Sequence, residues 1–368
     1  MKVLVTGADG FIGRNVCVAL GQQEGMEILP ITRTSSADDL RAAVRETDAV
    51  IHLAGVNRPQ DPSEFATGNA DFTEALCRML ASVSRAIPVA FASSIQAELD
   101  NPYGVSKRQA ESHLAAYGDR TGAPVALYRL ANVFGKWSRP NYNSAVATFC
   151  HNIARGLPIR IDNPDASVHL VYVDDVVAEL LQFLADPGQG ARQVEAGPVY
   201  STTVGELAAQ IEAFKDVRTS LVTERVGTGL VRALYATYVS FLPPESFSYS
   251  VPKYGDARGV FVEMLKTPEC GQFSFFTAHP GITRGGHYHH TKSEKFLVIK
   301  GRARYRFRHI ITDETFQVES HGDEPLVVET IPGWAHDITN IGGDELVVML
   351  WANEIFDRQK PDTFASKV

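Results

Sequence analysis

Two groups of residues have types and spacings suited to chemistry, one near each end of the chain. The first opens with Thr6-Gly7-Ala8-Asp9-Gly10-Phe11-Ile12-Gly13. Gly7 would allow a tight turn, Gly10 would let backbone approach a pyrophosphate, and Gly13 would let a helix pack on a strand. A helix starting at Phe11 and Ile12 would offer unpaired N–H groups and a partial positive charge to phosphates. Further on, Thr32-Arg33-Thr34-Ser35 puts a guanidinium and hydroxyls where an NAD-selective site carries a carboxylate for the ribose 2′-hydroxyl. That set suits a 2′-phosphate, so the expected cofactor is NADPH. Tyr103-Gly104-Val105-Ser106-Lys107 follows. Spacing i, i+4 puts the phenol and the ammonium on one helical face, where the ammonium favours proton transfer from the phenol near neutrality. Ser93-Ser94 lies just upstream, and a hydroxyl there could bond a substrate oxygen.

The second group is Gly286-His287-Tyr288-His289-His290-Thr291-Lys292-Ser293-Glu294, followed by Pro332-Gly333-Trp334-Ala335-His336. On one strand His287 and His289 would point to the same side. Glu294 would return on the next strand and His336 on a distant one. Three imidazoles and a carboxylate make a borderline-to-hard donor set for Zn, Fe, Mn or Ni, and zinc is the expected ion. Such an ion would polarise a ketone and stabilise the enediolate formed when a neighbouring C–H loses its proton. The base for that step is open among His290, Tyr288 and Lys292.

These residues need elements to hold them. Strand-like runs at Lys2–Thr6, Glu27–Thr32, Ala49–Leu53, Val89–Ser93 and Val125–Leu130 alternate with helix-like stretches at Ile12–Gly21, Thr73–Ser84 and Val105–Tyr117. That pattern predicts βαβ units, a doubly wound parallel sheet and a ligand site at the strand C-termini. The texture changes at Leu242-Pro243-Pro244-Glu245-Ser246. Beyond it come short runs at Gly259–Leu265, Gln272–Ala278, Lys295–Ile299, Ala303–Arg308, Thr315–Val318, Pro325–Thr330 and Glu345–Trp351, which predict a β-sandwich or small barrel. The expected domains are 1–243 and 244–368.

Composition removes several function classes. The 368 residues are 44% hydrophobic and 21% charged, which is globular rather than disordered. Asp and Glu outnumber Lys and Arg by 43 to 35, so general binding to nucleic acid or anionic membrane is not expected. No apolar run reaches the roughly 18 residues of a spanning helix. Four scattered cysteines without a CxxC pair suit reduced thiols, so the expected location is cytoplasmic.

Residues 1–240 resemble the extended short-chain dehydrogenase/reductase family, which includes sugar-nucleotide epimerases, dehydratases and reductases. The resemblance rests on the glycine triplet, Asp39-Leu40, His52-Leu53-Ala54-Gly55, Ser93-Ser94, Tyr103 with Lys107, Arg129-Leu130-Ala131-Asn132-Val133-Phe134-Gly135 and Val173-Asp174-Asp175-Val176. It implies a Rossmann-type fold in which Tyr103 donates the proton, Lys107 contacts the ribose and Ser94 assists the carbonyl. It also places Asp39 and Leu40 by the adenine, Leu53 and Ala54 along the cofactor groove, and Asn132 by a nucleotide-sugar diphosphate. Lys136, Asn141 and Asn143 are further candidates in the following loop. Two departures stand out. Arg33 and Asp39 are so close that one strand–helix unit of the usual sheet looks deleted, and Ser94 precedes Tyr103 by only nine residues.

The C-terminal motifs resemble cupins, whose core is a double-stranded β-helix. Asp256-Ala257-Arg258-Gly259-Val260-Phe261-Val262-Glu263 and Gly281-Ile282-Thr283-Arg284-Gly285-Gly286-His287 also resemble deoxysugar-nucleotide 3,5-epimerases. That likeness implies that Arg258, Glu263 and Arg284 hold a nucleotide diphosphate. It also makes His287 a base without metal, whereas the cupin pattern makes His287, His289, Glu294 and His336 metal ligands. The metal reading is the one adopted.

The whole chain is similar to bifunctional enzymes of capsule and O-antigen synthesis that work towards UDP-N-acetyl-L-fucosamine. The resemblance implies C3 epimerisation of a UDP-2-acetamido-2,6-dideoxy-4-hexulose, then NADPH-dependent C4 reduction to UDP-2-acetamido-2,6-dideoxy-L-talose. It implies a homodimer or larger homo-oligomer. Three other readings fit the same residues: a 4-reductase whose cupin only builds oligomers, a non-catalytic NADPH-binding protein, and an oxygenase cupin joined to a reductase.

Overall fold

In a computed structural model of the chain, described over residues 1–256, 259–262, 264–265, 271–354 and 359–368, the apolar runs of the N-terminal part lie in one parallel sheet. Its strands run side by side in the order Glu27–Ile31, Lys2–Thr6, Ala49–His52, Val89–Ser94, Val125–Leu130 and Ala191–Val194. Helices cover it, including Phe11–Gly21, Ala37–Glu46, Phe72–Ala81 and Pro102–Thr121. Ala49–His52 is buried along its whole length, as a strand covered on both faces must be. Leu4, Val50, Leu76, Phe91, Leu114 and Val125 meet in one core.

Among the described residues Glu27–Ile31 is the sheet edge and pairs only with Lys2–Thr6. It carries Pro30, which an edge strand tolerates and a central strand does not. No described strand lies outside it, in line with the missing strand–helix unit implied by the close spacing of Arg33 and Asp39. The chain leaves Lys2–Thr6 for one neighbour and returns to the other side at Ala49–His52. A crevice at such a switch point, beyond the strand C-termini, is where an open α/β sheet binds its ligand.

The C-terminal part is all-β and antiparallel, as the texture predicted. One five-stranded sheet runs Ser248–Ser250, Leu326–Glu329, Glu294–Lys300, Leu346–Ala352, Gln272–Ala278. The other runs Thr315–His321, Arg302–His309, Trp334–Asn340, Thr283–Tyr288, Phe364–Ala365. Their inner faces meet where Phe296 of the first packs on Tyr305 and His336 of the second, with ring centroids 5.9 and 6.5 Å apart.

Helix gives way to strand near the proline-rich segment, between Ser240 and Ser248. Compact packing divides the chain at other points: Met1–Trp137 groups with Val168–Ser201, and Ser138–Ser167 groups with Thr202–Val368. The second unit therefore includes helices Val204–Ser220 and Gly229–Ser240. Buried polar contacts explain the grouping. Arg218 pairs with Glu329 at 2.6 Å, the Tyr235 hydroxyl donates to the same carboxylate at 3.1 Å, and Lys295 pairs with it as well.

Candidate active sites

The glycine turn is built from close approaches. Gly7 has φ +68°, and a Cβ there would lie 2.9 Å from the Ala54 nitrogen. A Cβ on Gly13 would lie 2.1 Å from the Gly7 carbonyl oxygen. The turn therefore abuts the Leu53-Ala54 loop, so residues assigned separately to the cofactor come together. Helix Phe11–Gly21 starts at Gly10 with no side-chain cap, so its first N–H groups have no capping side chain, and Phe11 and Ile12 are half-buried in its first turn. Arg33 and Thr34 are exposed just past the edge strand. Asp39 has a local duty: with Ser36 it forms the capping box of helix Ala37–Glu46. Leu40 belongs to the core.

Tyr103 and Lys107 occupy the first turns of helix Pro102–Thr121. Asn101 caps that helix by accepting from the Gly104 N–H at 2.7 Å, and Pro102 begins it. Burial raises the Tyr103 pKa, while a hydrogen bond with Ser94 opposes the rise. The Lys107 ammonium is buried, donates to the Ala92 carbonyl at 2.7 Å and sits 4.4 Å from the Phe91 ring centroid. Burial pulls its pKa down to about 8, against the charge of Glu111. The two upstream serines part company. Ser94 faces the phenol, whereas the Ser93 hydroxyl donates to Glu111 at 2.5 Å, on a carboxylate that also binds Arg129.

The second site collects His287, His289, Glu294 and His336, whose ligand atoms lie within 4.8 Å of one another. Both sheets contribute. His287 and His336 are direct partners across adjacent strands, and Glu294 opens a strand of the facing sheet. Gly285 and Gly286, with φ +97° and +76°, make a bulge that aims His287 inward. The strand ends at Tyr288, so His289 is not held by strand alternation as the sequence suggested. It reaches the site from the loop beyond.

Hydrogen bonding fixes the imidazoles. His289 Nδ1 faces the Asp362 carbonyl and His336 Nδ1 faces the Trp334 carbonyl at 3.4 Å. Carbonyls only accept, so both Nδ1 atoms donate, and both Nε2 atoms converge on one oxygen, Glu294 Oε2, at 3.2 and 3.6 Å. His336 Nε2 is buried without a hydrogen-bond partner. With each Nδ1 donating outward, the Nε2 atoms and the carboxylate turn to a common point in a buried site, so the donor set fits a divalent metal. Burial, with its imidazole neighbours, lowers the His287 pKa to about 3, which keeps that ring in the ligating neutral form.

Residues 3–197 match the NAD dependent epimerase/dehydratase family, and residues 254–364 match the polysaccharide biosynthesis C-terminal domain. The chain belongs to the NAD dependent epimerase/dehydratase family. It is 58% identical, over its full length and 99% of the relative, to a Pseudomonas aeruginosa protein named UDP-2-acetamido-2,6-beta-L-arabino-hexul-4-ose reductase. A crystal structure of the capsular polysaccharide assembling protein CapF from Staphylococcus aureus covers all of both chains, with 38% identity and a TM-score of 0.68. UDP-glucuronic acid 4-epimerase from Bacillus cereus in complex with NAD matches over 58% of this chain and 83% of its own, with 19% identity and a TM-score of 0.52, which shows the fold alone.

The remaining candidates of this family member are scattered. Asn132 is exposed and donates to the His169 carbonyl at 3.1 Å. The Lys136 ammonium is buried and pairs with Asp174 at 2.5 Å, not with Asn132. Asn141 and Asn143 are exposed in the other compact unit. Arg284 is exposed over the Phe276 ring. Arg258 and Glu263 lie outside the described residues.

One group escaped sequence reasoning. Thr6 donates to His52 Nδ1 at 2.7 Å, His52 Nε2 donates to Thr73 at 2.9 Å, and Thr73 donates to the Asn69 carbonyl at 2.7 Å. Asn69 then donates to Ser106, which donates to the Tyr103 carbonyl. Burial, aided by the Lys107 charge, lowers the His52 pKa to about 3, so the ring stays neutral as this chain requires. The sequence signals were His52 in the His52-Leu53-Ala54-Gly55 motif and the pair Asn69 and Thr73, four apart on one helical face.

Proposed function

We propose that the chain is a bifunctional sugar-nucleotide enzyme acting on one carbonyl at two sites. The metal-bearing unit epimerises C3 of a UDP-2-acetamido-2,6-dideoxy-4-hexulose. The Tyr103 unit then reduces the C4 ketone with NADPH, giving UDP-2-acetamido-2,6-dideoxy-L-talose for capsule or O-antigen synthesis. The observation that carries this reading is the coexistence of two differently built sites, Tyr103/Ser94/Lys107 and the three-histidine centre, in a chain 58% identical to a protein named as a hexul-4-ose reductase.

In the reductase unit the cofactor supplies the hydride. Ser94 and Tyr103 hold the ketone oxygen, and the Tyr103 phenol delivers its proton as the alkoxide forms. In the other unit His289, His336, Glu294 and His287 hold the ion, which would supply polarisation of the ketone. Among the three candidate bases, Lys292 adjoins the centre: its ammonium lies 2.9 Å from Glu294 Oε1. As an ammonium it can return a proton to C3, and the base that removes the C3 proton stays open between His290 and Tyr288. A CapF structure contains the inhibitor 3-isopropenyl-tropolone, and a tropolone presents two adjacent oxygens suited to chelating a metal. That chemistry supports a metal reading here.

The test is incubation with a UDP-4-keto-6-deoxy-HexNAc and NADPH in deuterium oxide, followed by NMR. Tyr103→Phe should slow NADPH oxidation by about 10²–10⁴-fold, the usual share of a general acid, while C3 deuterium incorporation continues. Glu294→Gln should stop the exchange. Absence of C3 exchange in the wild-type protein would leave a reductase alone. Loss of exchange in Tyr103→Phe with substrate binding intact would remove the division between the two sites.

A further inference from the structure

We propose that Asp362, near the C-terminus, is a positioning residue for the three-histidine centre, setting the tautomer of His289 through its carbonyl and the ligand loop through its carboxylate. This rests on the metal reading of that cluster. Between His289 and Glu294 the chain leaves the sheet, so its N–H groups have no strand partner. The Asp362 carboxylate takes them instead. Oδ1 accepts from the His290 N–H at 2.9 Å, and Oδ2 accepts from the Thr291 and Lys292 N–H groups at 2.7 and 2.8 Å. The Thr291 hydroxyl adds a fourth bond at 3.0 Å. Three consecutive backbone donors converging on one buried carboxylate fix the path from one ligand to the next.

The same residue's carbonyl accepts from His289 Nδ1. That bond aims Nε2 at Glu294, as outer hydrogen bonds do for metal-bound imidazoles. The segment is itself anchored. Phe364–Ala365 pairs with the strand of His287, with Ala365 opposite His287. The Ser366 N–H donates to the Gly286 carbonyl at 2.9 Å, and Arg308 donates to the Lys367 carbonyl. The strand of His287 and the loop of His289 therefore both meet this one stretch of chain.

The experiment uses the full chain stripped of metal and titrated with Co²⁺, read by visible d–d absorption and by competition with a chelator. Thermal unfolding followed by circular dichroism reports that both compact units are folded. Asp362→Ala should lower Co²⁺ affinity by about 10–100-fold, as loss of outer-shell partners does, and should change the band shape. Asp362→Asn, which keeps one acceptor oxygen, should fall between it and wild type. Should the alanine variant not fold, the asparagine variant is read alone, and at least a severalfold loss is expected. Affinities and spectra equal to wild type in the folded variants would overturn the role of Asp362. Failure of the wild-type chain to bind Co²⁺ would instead overturn the metal reading on which that role rests.

Discussion

Lys107 decides how the reductase site responds to pH. Burial brings its pKa down to about 8, while burial moves the Tyr103 phenol the other way, above the usual tyrosine value. The phenol therefore remains protonated in the range where the ammonium is lost. In its proposed role the ammonium form holds the ribose and favours the tyrosinate left after proton transfer, so kcat/KM for reduction should fall as pH rises through about 8. Lys107→Arg, whose charge persists to much higher pH, should remove that limb. A wild-type profile flat to pH 10 would contradict the assignment. At this scale the sequence was readable where spacing is local: Tyr103 and Lys107 are four apart, and His287, His289 and Glu294 fall within eight residues. It was not readable where a partner is distant. Nothing near Ser93 announces Glu111, nothing near Lys136 announces Asp174, and nothing near His289 announces Asp362.

Elements convert those residues into sites, and two of them offer tests. The Gly7 turn and helix Phe11–Gly21 approach so closely that a methyl group on Gly13 would meet the Gly7 carbonyl and the Ala8 backbone. Backbone atoms cannot swing aside as a side-chain tip can. Gly13→Ala should displace the turn, weaken NADPH binding at least tenfold by fluorescence titration, and cost about 1–3 kcal/mol of stability as an overpacked contact. In the other unit, Lys295 and Glu329 are a buried pair, with Arg218 and Tyr235 on the same carboxylate. Lys295→Met strands part of that charge and should cost about 3–5 kcal/mol in denaturant unfolding. Burial opposes ionisation of Glu329, but Lys295 and Arg218 outweigh it and lower its pKa to about 2. A carboxyl lowered on folding stabilises above its unfolded pKa and loses that contribution as pH falls through the folded value. The pair's contribution should therefore fade below about pH 4.5 and vanish near pH 2. Apolar alternation with turn residues made most strands legible. Thr283–Tyr288 and Trp334–Asn340, which carry His287 and His336, were not, because the Gly285-Gly286 bulge and the polar ligands interrupt the alternation. Function hides those strands from a periodicity reading.

At the scale of the molecule, carbonyl chemistry orders the two proposed sites, which lie in different compact units. A ketone at C4 acidifies the C3 hydrogen, and reduction abolishes that acidity. Epimerisation must come first, and reduction then locks the new configuration. In the proposed sequence of steps the intermediate is a sugar nucleotide bound covalently to neither site, so it needs no particular chain to finish its conversion. A mixture of Tyr103→Phe and Glu294→Gln chains, each blocked at one step, should therefore yield the reduced product that neither yields alone, followed by NMR in the presence of NADPH. A chelator added to wild-type protein should reproduce the Glu294→Gln block, while reduction of substrate already epimerised at C3 continues. If the mixture stays inactive although each variant retains its own half-reaction, the intermediate does not pass freely between chains, and the two steps must occur without its release.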